Sequence, residues 1–135
     1  MKIVYKEYVF KEINELLDLY RNVGWSNYYE NPIMLENAIK NSLYLEAAYF
    51  NDELIGLIRV VGDGYSIVYI QDILVKQHYQ RKGIGKRLIV DVITKYKNVY
   101  QKVLLTDNTE KTKLFYESIG FQEVSSIDCI SFIKY

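Results

Sequence analysis

The sequence predicts a mixed α/β fold, and three observations support this fold class. Apolar runs of strand length, such as Tyr44–Phe50, occur along the chain together with segments whose apolar residues recur every three or four positions. Turn-forming residues separate these segments. The chain has 135 residues, of which 50% are hydrophobic, and this is enough for one domain with one core. We therefore expect a single domain, residues 1–135, with helices on both faces of a sheet.

The first third of the chain predicts a strand and two helices. Residues 3–8 alternate weakly between apolar and polar side chains, which indicates a strand. Residues 11–23 carry apolar side chains at helical spacing and end before a glycine, so we expect an amphipathic helix there. Residues 25–32 predict a loop with three aromatic side chains, and Pro32 begins a second helix that ends at about Asn41.

The middle of the chain predicts an antiparallel meander of three strands. Residues 44–50 and 54–61 are β-like runs joined by an Asn-Asp-Glu turn, and an Asp-Gly turn leads into a third strand, residues 66–75. We expect a helix from about residue 83 to residue 96. It connects the third strand to a short apolar strand, residues 102–106, and a helical connection of this kind makes the two strands parallel.

The last segment predicts one helix and two short strands. Residues 109–119 carry a helical pattern, and Gly120 is the signal that ends this helix. We expect residues 122–124 and residues 127–134 to close the chain as strands. Together these elements predict a mixed, mostly antiparallel sheet.

Residues 69–88 contain the strongest functional signal in the chain. An apolar run ends at Val75, a polar turn follows, and Gly83 and Gly85 stand where the next helix begins. Backbone N–H groups at a helix N-terminus have no intrahelical partner, and glycines let a phosphate oxygen approach them closely. Residues 76–87 contain five cationic side chains and one histidine but no acid. These features predict a site for a pyrophosphate or a polyphosphate.

Two common phosphate-binding motifs do not fit this loop. The Walker loop has a longer glycine spacing and ends in Gly-Lys-Ser/Thr, whereas Gly85 is followed by Lys86 and Arg87. The dinucleotide fingerprint requires a third glycine or alanine three residues further on, and Leu88 occupies that position.

The spacing Gln80-x-x-Gly83-x-Gly85 after a strand resembles instead the acyl-CoA signature of the GNAT superfamily of N-acetyltransferases. A second segment, residues 114–121 (LFYESIGF), resembles that family's FYxxxGF motif. The predicted order of elements also resembles the GNAT acyl-CoA N-acyltransferase fold, from about residue 3 to residue 135. The resemblance implies one GNAT N-acetyltransferase domain over residues 1–135, with acetyl-CoA as the acetyl donor.

The resemblance assigns cofactor contacts to two segments. In GNAT proteins the end of the strand before the loop hydrogen-bonds the pantetheine arm through its backbone, and the loop wraps the pyrophosphate. The matching residues are Ile73, Leu74, Val75, Gln80, Arg81, Lys82, Gly83, Ile84, Gly85 and Lys86. Many members also carry an asparagine seven residues before the motif tyrosine. Thr109 stands at that position here, so we assign the contact to the neighbouring Asn108.

The resemblance also implies catalytic and acceptor-binding residues. Tyr116 matches the tyrosine that protonates the departing CoA thiolate. Many members place a glutamate as general base where this chain has Gln71, so Asp72 is our candidate base, and Glu30 remains an alternative through water. The family's loop between the first two helices covers the acceptor, and aromatic faces there would attract an ammonium group. Its aromatic residues are Trp25, Tyr28 and Tyr29.

Composition limits the partners and the cellular location. The chain has 17 basic and 17 acidic residues and no basic face with interleaved aromatics, so we expect no nucleic-acid partner. It has no run of about 18 apolar residues, so we expect no membrane partner. The N-terminus lacks a signal-peptide core and Cys129 is the single cysteine, which predicts a cytoplasmic protein without a zinc site. The sequence leaves open whether the protein is a monomer or a homodimer.

These observations predict an N-acetyltransferase in which a neutral primary amine attacks the thioester of acetyl-CoA directly, in a ternary complex. Two alternatives stay open. One is a non-catalytic regulatory module that binds acyl-CoA, which the missing glutamate favours, and the other is transfer of a different acyl group. The acceptor also stays open between a small amine, a peptide N-terminus and a protein lysine.

Overall fold

The computed structural model describes residues 1–135, which divide into two compact units, residues 1–104 and residues 105–135. The first unit contains a five-stranded sheet in the order β1-β2-β3-β4-β5. Its strands are β1 (Val4–Glu7), β2 (Tyr44–Phe50), β3 (Glu53–Gly62), β4 (Ile67–Val75) and β5 (Gln101–Leu104). Its helices are α1 (Asn14–Asn22), α2 (Ser26–Tyr29), α3 (Pro32–Lys40) and α4 (Ile84–Lys95).

The sheet is mixed and mostly antiparallel, which confirms the predicted α/β fold class. Strands β1 to β4 pair antiparallel in chain order, and β5 pairs with β4 in parallel. The parallel pair arises because α4 carries the chain back to the end of the sheet from which β4 starts. Each strand and helix that we expected in residues 1–104 is present.

Helices cover both faces of the sheet. On one face, α1 and α3 bury their apolar sides in the main core, where Leu16, Tyr20 and Leu35 are fully buried. On the other face, α4 buries Ile84, Leu88, Ile89 and Val92. A Cβ atom at Gly56 of β3 would lie 3.4 Å from Ile84, so the start of α4 packs closely against the sheet.

Strand β4 contains a β-bulge at Gln71. Arg59 pairs with Asp72 and Val60 pairs with Ile70, so Gln71 has no partner on β3. Paired residues share a face of the sheet and successive residues alternate, so Asp72 and Ile70 lie on opposite faces. Asp72 is buried on the α1 side, where it contacts Tyr20, whereas the Gln71 side chain is exposed.

Residues 25–32 differ from the predicted loop because Ser26–Tyr29 forms the short helix α2. The Trp25 carbonyl accepts a hydrogen bond from the Tyr29 N–H at 3.2 Å, which closes this single turn. The aromatic side chains then pack against the core beside α1. This burial stabilises a helical turn that the local sequence does not predict.

The second unit contains α5 (Glu110–Ser118), which confirms the last predicted helix. Thr109 is its N-cap, and the Thr109 side chain accepts a hydrogen bond from the Thr112 N–H at 3.2 Å. The capping role explains why a threonine is suitable at position 109, where many GNAT proteins have an asparagine. Asn108 directly precedes the cap and is exposed.

The two strands that we predicted after this helix are wrong. Residues 122–124 form no strand, Val124–Ile127 is a 3-10 helix, and residues 128–135 have no regular secondary structure. Asp128 has a left-handed φ of +61°, and the Cys129 N–H bonds back to the Val124 carbonyl at 2.9 Å. A strand is stable only when a neighbouring strand completes its hydrogen bonds, and an apolar pattern does not supply that neighbour.

A buried acidic side chain lies between β2 and α4. Glu46 is 7% exposed, and its Oε1 accepts a hydrogen bond from the Tyr44 hydroxyl at 2.9 Å. Its Oε2 has no hydrogen-bond partner. Burial, together with the Asp91 carboxyl group of α4, raises the pKa of Glu46 to about 7, although the nearby Arg87 opposes this shift.

The variant Glu46→Gln is expected to gain stability relative to the wild type as the pH rises. In the unfolded chain Glu46 ionises near a pKa of 4.5, whereas in the folded protein it ionises near 7. Between these values the folded state binds more protons, so the wild-type free energy of unfolding falls as the pH rises, by at most about 3 kcal/mol. Glutamine carries no proton to lose, so its stability lacks this slope. Thermal melts of both proteins at about pH 5 and about pH 8 test the expectation, and an equal Tm difference at both pH values would contradict it.

Several kinds of site are absent from the structure. None of the helices combines the length and the apolar character needed to cross a membrane. No group of three or more histidine, cysteine, aspartate or glutamate side chains is arranged to hold a metal ion. Cys129 is exposed and forms no disulfide.

Candidate functional site

The second half of β4 has a free edge. Strand β5 pairs with β4 only from Ile67 to Ile70, whereas β4 continues to Val75. On its other edge β4 stays paired with β3 as far as Val75. The backbone N–H and C=O groups of residues 71–75 that point away from β3 therefore have no partner strand. Backbone polar groups in a folded protein usually have a hydrogen-bond partner, so these groups are available to a ligand. The predicted pantetheine-binding residues, 73–75, lie on this edge.

The loop after β4 is held by side chains at its start. The Gln80 side-chain amide donates a hydrogen bond to the Val75 carbonyl at 2.9 Å. Lys76 Nζ lies 2.5 Å from Asp18 Oδ2 and 2.9 Å from Glu53 Oε2. These contacts tie the loop to the end of β4, to α1 and to the start of β3.

The start of α4 presents backbone N–H groups without partners. Gly83 is the N-cap, with a left-handed φ of +81° that glycine adopts without strain. No side chain caps this helix, and its first turn contains no acidic residue. A Cβ atom at Gly85 would lie 3.9 Å from Ile73 Cδ1 and 4.0 Å from Val75 Cγ2. The start of α4 therefore packs against the same part of β4, residues 73–75, whose edge is free.

Three basic side chains near the loop are available to an anion. Arg81, Lys82 and Lys86 are exposed and form no ion pair. Lys76 is bound by the two carboxylates named above, and Arg87 pairs at 2.9 Å with an aspartate one turn further along α4. Two of these cations directly precede the N-cap of α4 and the third lies in its first turn, next to the positive end of the helix dipole, where an anion is stabilised.

Asp72 lies at the centre of a buried hydrogen-bond network on the α1 side of β4. Its Oδ2 accepts hydrogen bonds from the Tyr20 hydroxyl at 2.8 Å and from Arg59 Nε at 2.7 Å. Its Oδ1 accepts a hydrogen bond from the Tyr28 hydroxyl at 3.0 Å. Three hydrogen bonds and burial, with 3% of the residue exposed, keep Asp72 from meeting a substrate directly. The proton-accepting role of Asp72 stays a prediction.

The structure brings two of the three predicted acceptor-binding residues together. The ring centroids of Trp25 and Tyr28 are 6.3 Å apart, and both rings pack against Tyr20. Tyr29 instead stacks below the Arg21 guanidinium, with 5.4 Å between Arg21 Cζ and the ring centroid. Trp25, Tyr28 and Tyr29 are all partly exposed.

We did not predict from the sequence that Arg59 and Tyr20 belong to this network. The sequence does contain an indication of the role of Arg59, because Arg59 is the single charged residue in the apolar run 54–61. An arginine in a buried strand requires an acidic partner, and here the partner is Asp72 on the next strand. Tyr20 occupies an apolar position of α1 and carries no comparable signal.

In the second unit, the FYxxxGF segment forms the C-cap of α5. The Gly120 N–H bonds to the Glu117 carbonyl at 3.1 Å and the Phe121 N–H bonds to the Tyr116 carbonyl at 3.0 Å, which is a Schellman motif. Gly120 has a φ of +99°, so a glycine is favoured there. The Phe121 and Tyr116 ring centroids are 5.8 Å apart. Burial raises the pKa of the Tyr116 hydroxyl, which therefore stays protonated at neutral pH.

Comparison with known proteins identifies the family. Residues 16–134 match the acetyltransferase (GNAT) domain. A GNAT-family acetyltransferase of known structure from Streptococcus pneumoniae is 40% identical with a TM-score of 0.89, over 99% of this chain and 98% of that chain. The chain belongs to the GNAT family of acetyltransferases, which confirms the resemblance carried by the glycine loop.

Two further relatives are described with a donor or a substrate. A GNAT-family acetyltransferase from Elizabethkingia anophelis, solved with acetyl-CoA bound, is 25% identical with a TM-score of 0.66, over 89% of this chain and 76% of that chain. A glucosamine 6-phosphate N-acetyltransferase from Trypanosoma brucei brucei is 38% identical over 61 residues. This second match spans 44% of this chain and 40% of the trypanosome protein.

Proposed function

We propose that this protein transfers an acetyl group from acetyl-CoA to a primary amine. The observation that carries the proposal is the free edge of β4, which adjoins the uncapped, acid-free start of α4. CoA joins an amide-containing arm to a pyrophosphate, so it offers partners to both features at once. The relative with bound acetyl-CoA supports this choice of donor. We also propose that the reaction takes place in the cytoplasm, which the single unpaired cysteine favours.

The proposed cofactor contacts fall into three groups. Residues 73–75 bind the pantetheine arm through their backbone, and the loop binds the pyrophosphate through backbone N–H groups and three free cations. The loop residues are Gln80, Arg81, Lys82, Gly83, Ile84, Gly85 and Lys86. Gln80 braces the loop against Val75, since its side chain already bonds to that carbonyl. Asn108 is a further proposed cofactor contact.

The proposed chemistry is direct attack by a neutral amine on the thioester carbonyl. A new C–N bond forms, the C–S bond breaks, and the CoA thiolate takes a proton from Tyr116. The nitrogen loses a proton as it becomes an amide, and this proton returns to Tyr116 through solvent. An amine with a pKa of about 10 is mostly protonated at pH 7, so a base must first remove a proton. Water-relayed transfer to Glu30 or Asp72 supplies that base in our proposal. Cys129 has no role, and no acyl-enzyme forms.

The variant Trp25→Ala is expected to raise the KM for the amine and leave the Kd for acetyl-CoA unchanged. An aromatic face attracts an ammonium group by ~0.5–2 kcal/mol, which corresponds to a ~2–30-fold rise in KM. Steady-state kinetics in the amine and calorimetry with acetyl-CoA measure the two quantities. Trp25→Phe keeps an aromatic face and should show a smaller rise in KM. A lower Tm with unchanged kinetics would instead identify Trp25 as a residue of the core only.

Thiol release from acetyl-CoA across a panel of amines tests the proposed function. The panel includes glucosamine 6-phosphate, an aminoglycoside, spermidine and a lysine-containing peptide. We expect release above the amine-free rate with at least one amine. Tight binding of acetyl-CoA without release would identify a regulatory module, and faster turnover of a longer acyl-CoA would identify a different acyl donor.

A further inference from the structure

The buried network around Asp72 joins side chains from four elements of the first unit, and the proposed chemistry does not use all of them. Arg59 of β3 and Asp72 of β4 are 6% and 3% exposed. Burial of a charged pair is costly unless hydrogen bonds complete it, and Tyr20 of α1 and Tyr28 of α2 complete this one. Tyr20 is fully buried, whereas Tyr28 is partly exposed. Tyr28 is therefore the member of the network that can reach a substrate.

The direction of each hydrogen bond in this network is fixed. A guanidinium only donates, and an ionised carboxylate only accepts. Arg59 Nε therefore donates to Asp72 Oδ2, and the Tyr28 hydroxyl must donate its proton to Asp72 Oδ1. Arg59 Nη2 also lies 3.3 Å from the Tyr28 oxygen and donates to it. The single proton of the Tyr28 hydroxyl thus points into the network.

A hydroxyl oxygen has two acceptor lone pairs and Arg59 uses one of them, so the oxygen of the partly exposed Tyr28 keeps one lone pair for a further donor. Burial and the charge on Asp72 raise the pKa of Tyr28 despite the opposing Arg59 guanidinium, so the hydroxyl keeps its proton at neutral pH.

We propose that the Tyr28 oxygen accepts a hydrogen bond from an N–H of the acceptor amine, and that Asp72 and Arg59 are positioning residues that hold it in this orientation. This inference rests on the proposed function, which identifies the acceptor as an amine. An amine or ammonium group can donate to the Tyr28 oxygen, whereas a carboxylate only accepts. The network thus selects donor-bearing substrates.

The variant Asp72→Asn should reverse the orientation of the Tyr28 hydroxyl. Two donors, from Tyr20 and Arg59, converge on the Oδ2 position and keep the amide oxygen there. The amide nitrogen then occupies the Oδ1 position and donates to Tyr28. The Tyr28 hydroxyl proton would then point away from residue 72, toward the N–H of a bound amine, and two donors would face each other. In the double variant Asp72→Asn with Tyr28→Phe, residue 28 has no hydroxyl group whose orientation could change.

Trp25 allows binding to be measured without turnover. It is the single tryptophan of the chain, and its ring centroid lies 6.3 Å from that of Tyr28. Fluorescence titration of the CoA-loaded protein with n-butylammonium, and with butyrate as the acceptor-only counterpart, therefore reports on this site. Tyr20→Phe is the matched control, because it removes the same hydroxyl group from the other oxygen of the same carboxylate.

We expect Tyr28→Phe to raise the Kd for n-butylammonium ~3–10-fold, which is the range for one hydrogen bond. Tyr20→Phe should leave that Kd unchanged, and all variants should keep the wild-type Kd for acetyl-CoA. Asp72→Asn should raise the Kd for n-butylammonium at least as much as Tyr28→Phe does. Added to Tyr28→Phe, it should cause no further rise in that Kd. If Asp72→Asn does not fold, the comparison of Tyr28→Phe with Tyr20→Phe decides alone.

Three results would overturn the proposal: no saturable signal with wild-type protein, equal losses in Tyr28→Phe and Tyr20→Phe, or an effect of Asp72→Asn that persists without the Tyr28 hydroxyl. The last result would mean that Asp72 meets the substrate itself. Failure of the proposed function has a different signature, because n-butylammonium would then bind as expected while no amine of the panel is acetylated.

Discussion

Gly83→Glu is expected to weaken acetyl-CoA binding more than ~30-fold, or by at least about 2 kcal/mol. The new carboxylate would stand at the N-cap of α4, among the unpaired N–H groups and the positive end of the helix dipole. It would occupy those donors itself and repel the pyrophosphate of CoA. Isothermal titration calorimetry with acetyl-CoA measures the change. An unaltered Kd in a folded Gly83→Glu protein would exclude this loop as the cofactor site.

Gly24→Glu is a matched control for this experiment. Gly24 and Gly83 have φ values of +80° and +81°, and a Cβ atom at either position would meet nothing within 4 Å. Both substitutions therefore introduce the same charge and a similar backbone strain. Gly24 lies just after α1, outside the loop, so Gly24→Glu should keep the wild-type Kd for acetyl-CoA. Equal losses in both variants would show that strain, and not the charge at the loop, weakens binding.

Tyr116→Phe is expected to lower kcat by ~10²–10⁴-fold, which is the usual contribution of a general acid. Burial raises the pKa of the Tyr116 hydroxyl, so the hydroxyl carries its proton at the pH of the assay and can donate it to the thiolate. Phenylalanine keeps the ring that packs against Phe121, so the fold should be preserved. Pre-steady-state kinetics must first establish that chemistry limits kcat.

Tyr65→Phe is the control for Tyr116→Phe. Tyr65 is 85% exposed at the turn between β3 and β4, so the same loss of one oxygen should leave kcat unchanged. The Tm of Tyr116→Phe should also stay close to that of the wild type. A wild-type kcat for Tyr116→Phe, with chemistry rate-limiting, would remove Tyr116 from the mechanism.

Local periodicity predicted most of the fold because most elements bury one face. The strands β2 to β4 and the helices α1 and α4 each carry an apolar pattern that matches their burial. The prediction of two strands after α5 was wrong for a physical reason. Residues 127–134 contain three isoleucines and a phenylalanine, which favour a strand, yet a strand also needs a hydrogen-bonding neighbour, and the sequence pattern does not report one.

Contacts between distant residues explain what the sequence did not reveal about the candidate site. The five basic residues near the loop look alike in sequence, but Lys76 is held by Asp18 and Glu53, which lie far from it in the chain. The bulge at Gln71 is also invisible locally, because it is a property of the register between β3 and β4. The glycine loop was predictable because its function depends on backbone groups that are adjacent in the chain.

Mass spectrometry of both products tests the proposed reaction most directly. Wild-type protein with acetyl-CoA and the preferred amine of the panel should yield CoA and acetylated amine in equal amounts, and CoA should form only when the amine is present. Gly83→Glu should yield neither product at the same acetyl-CoA concentration, provided that this concentration lies below its weakened Kd. Release of CoA without acetylated amine, or an acetyl group found on the protein as an intermediate, would contradict direct transfer to an amine.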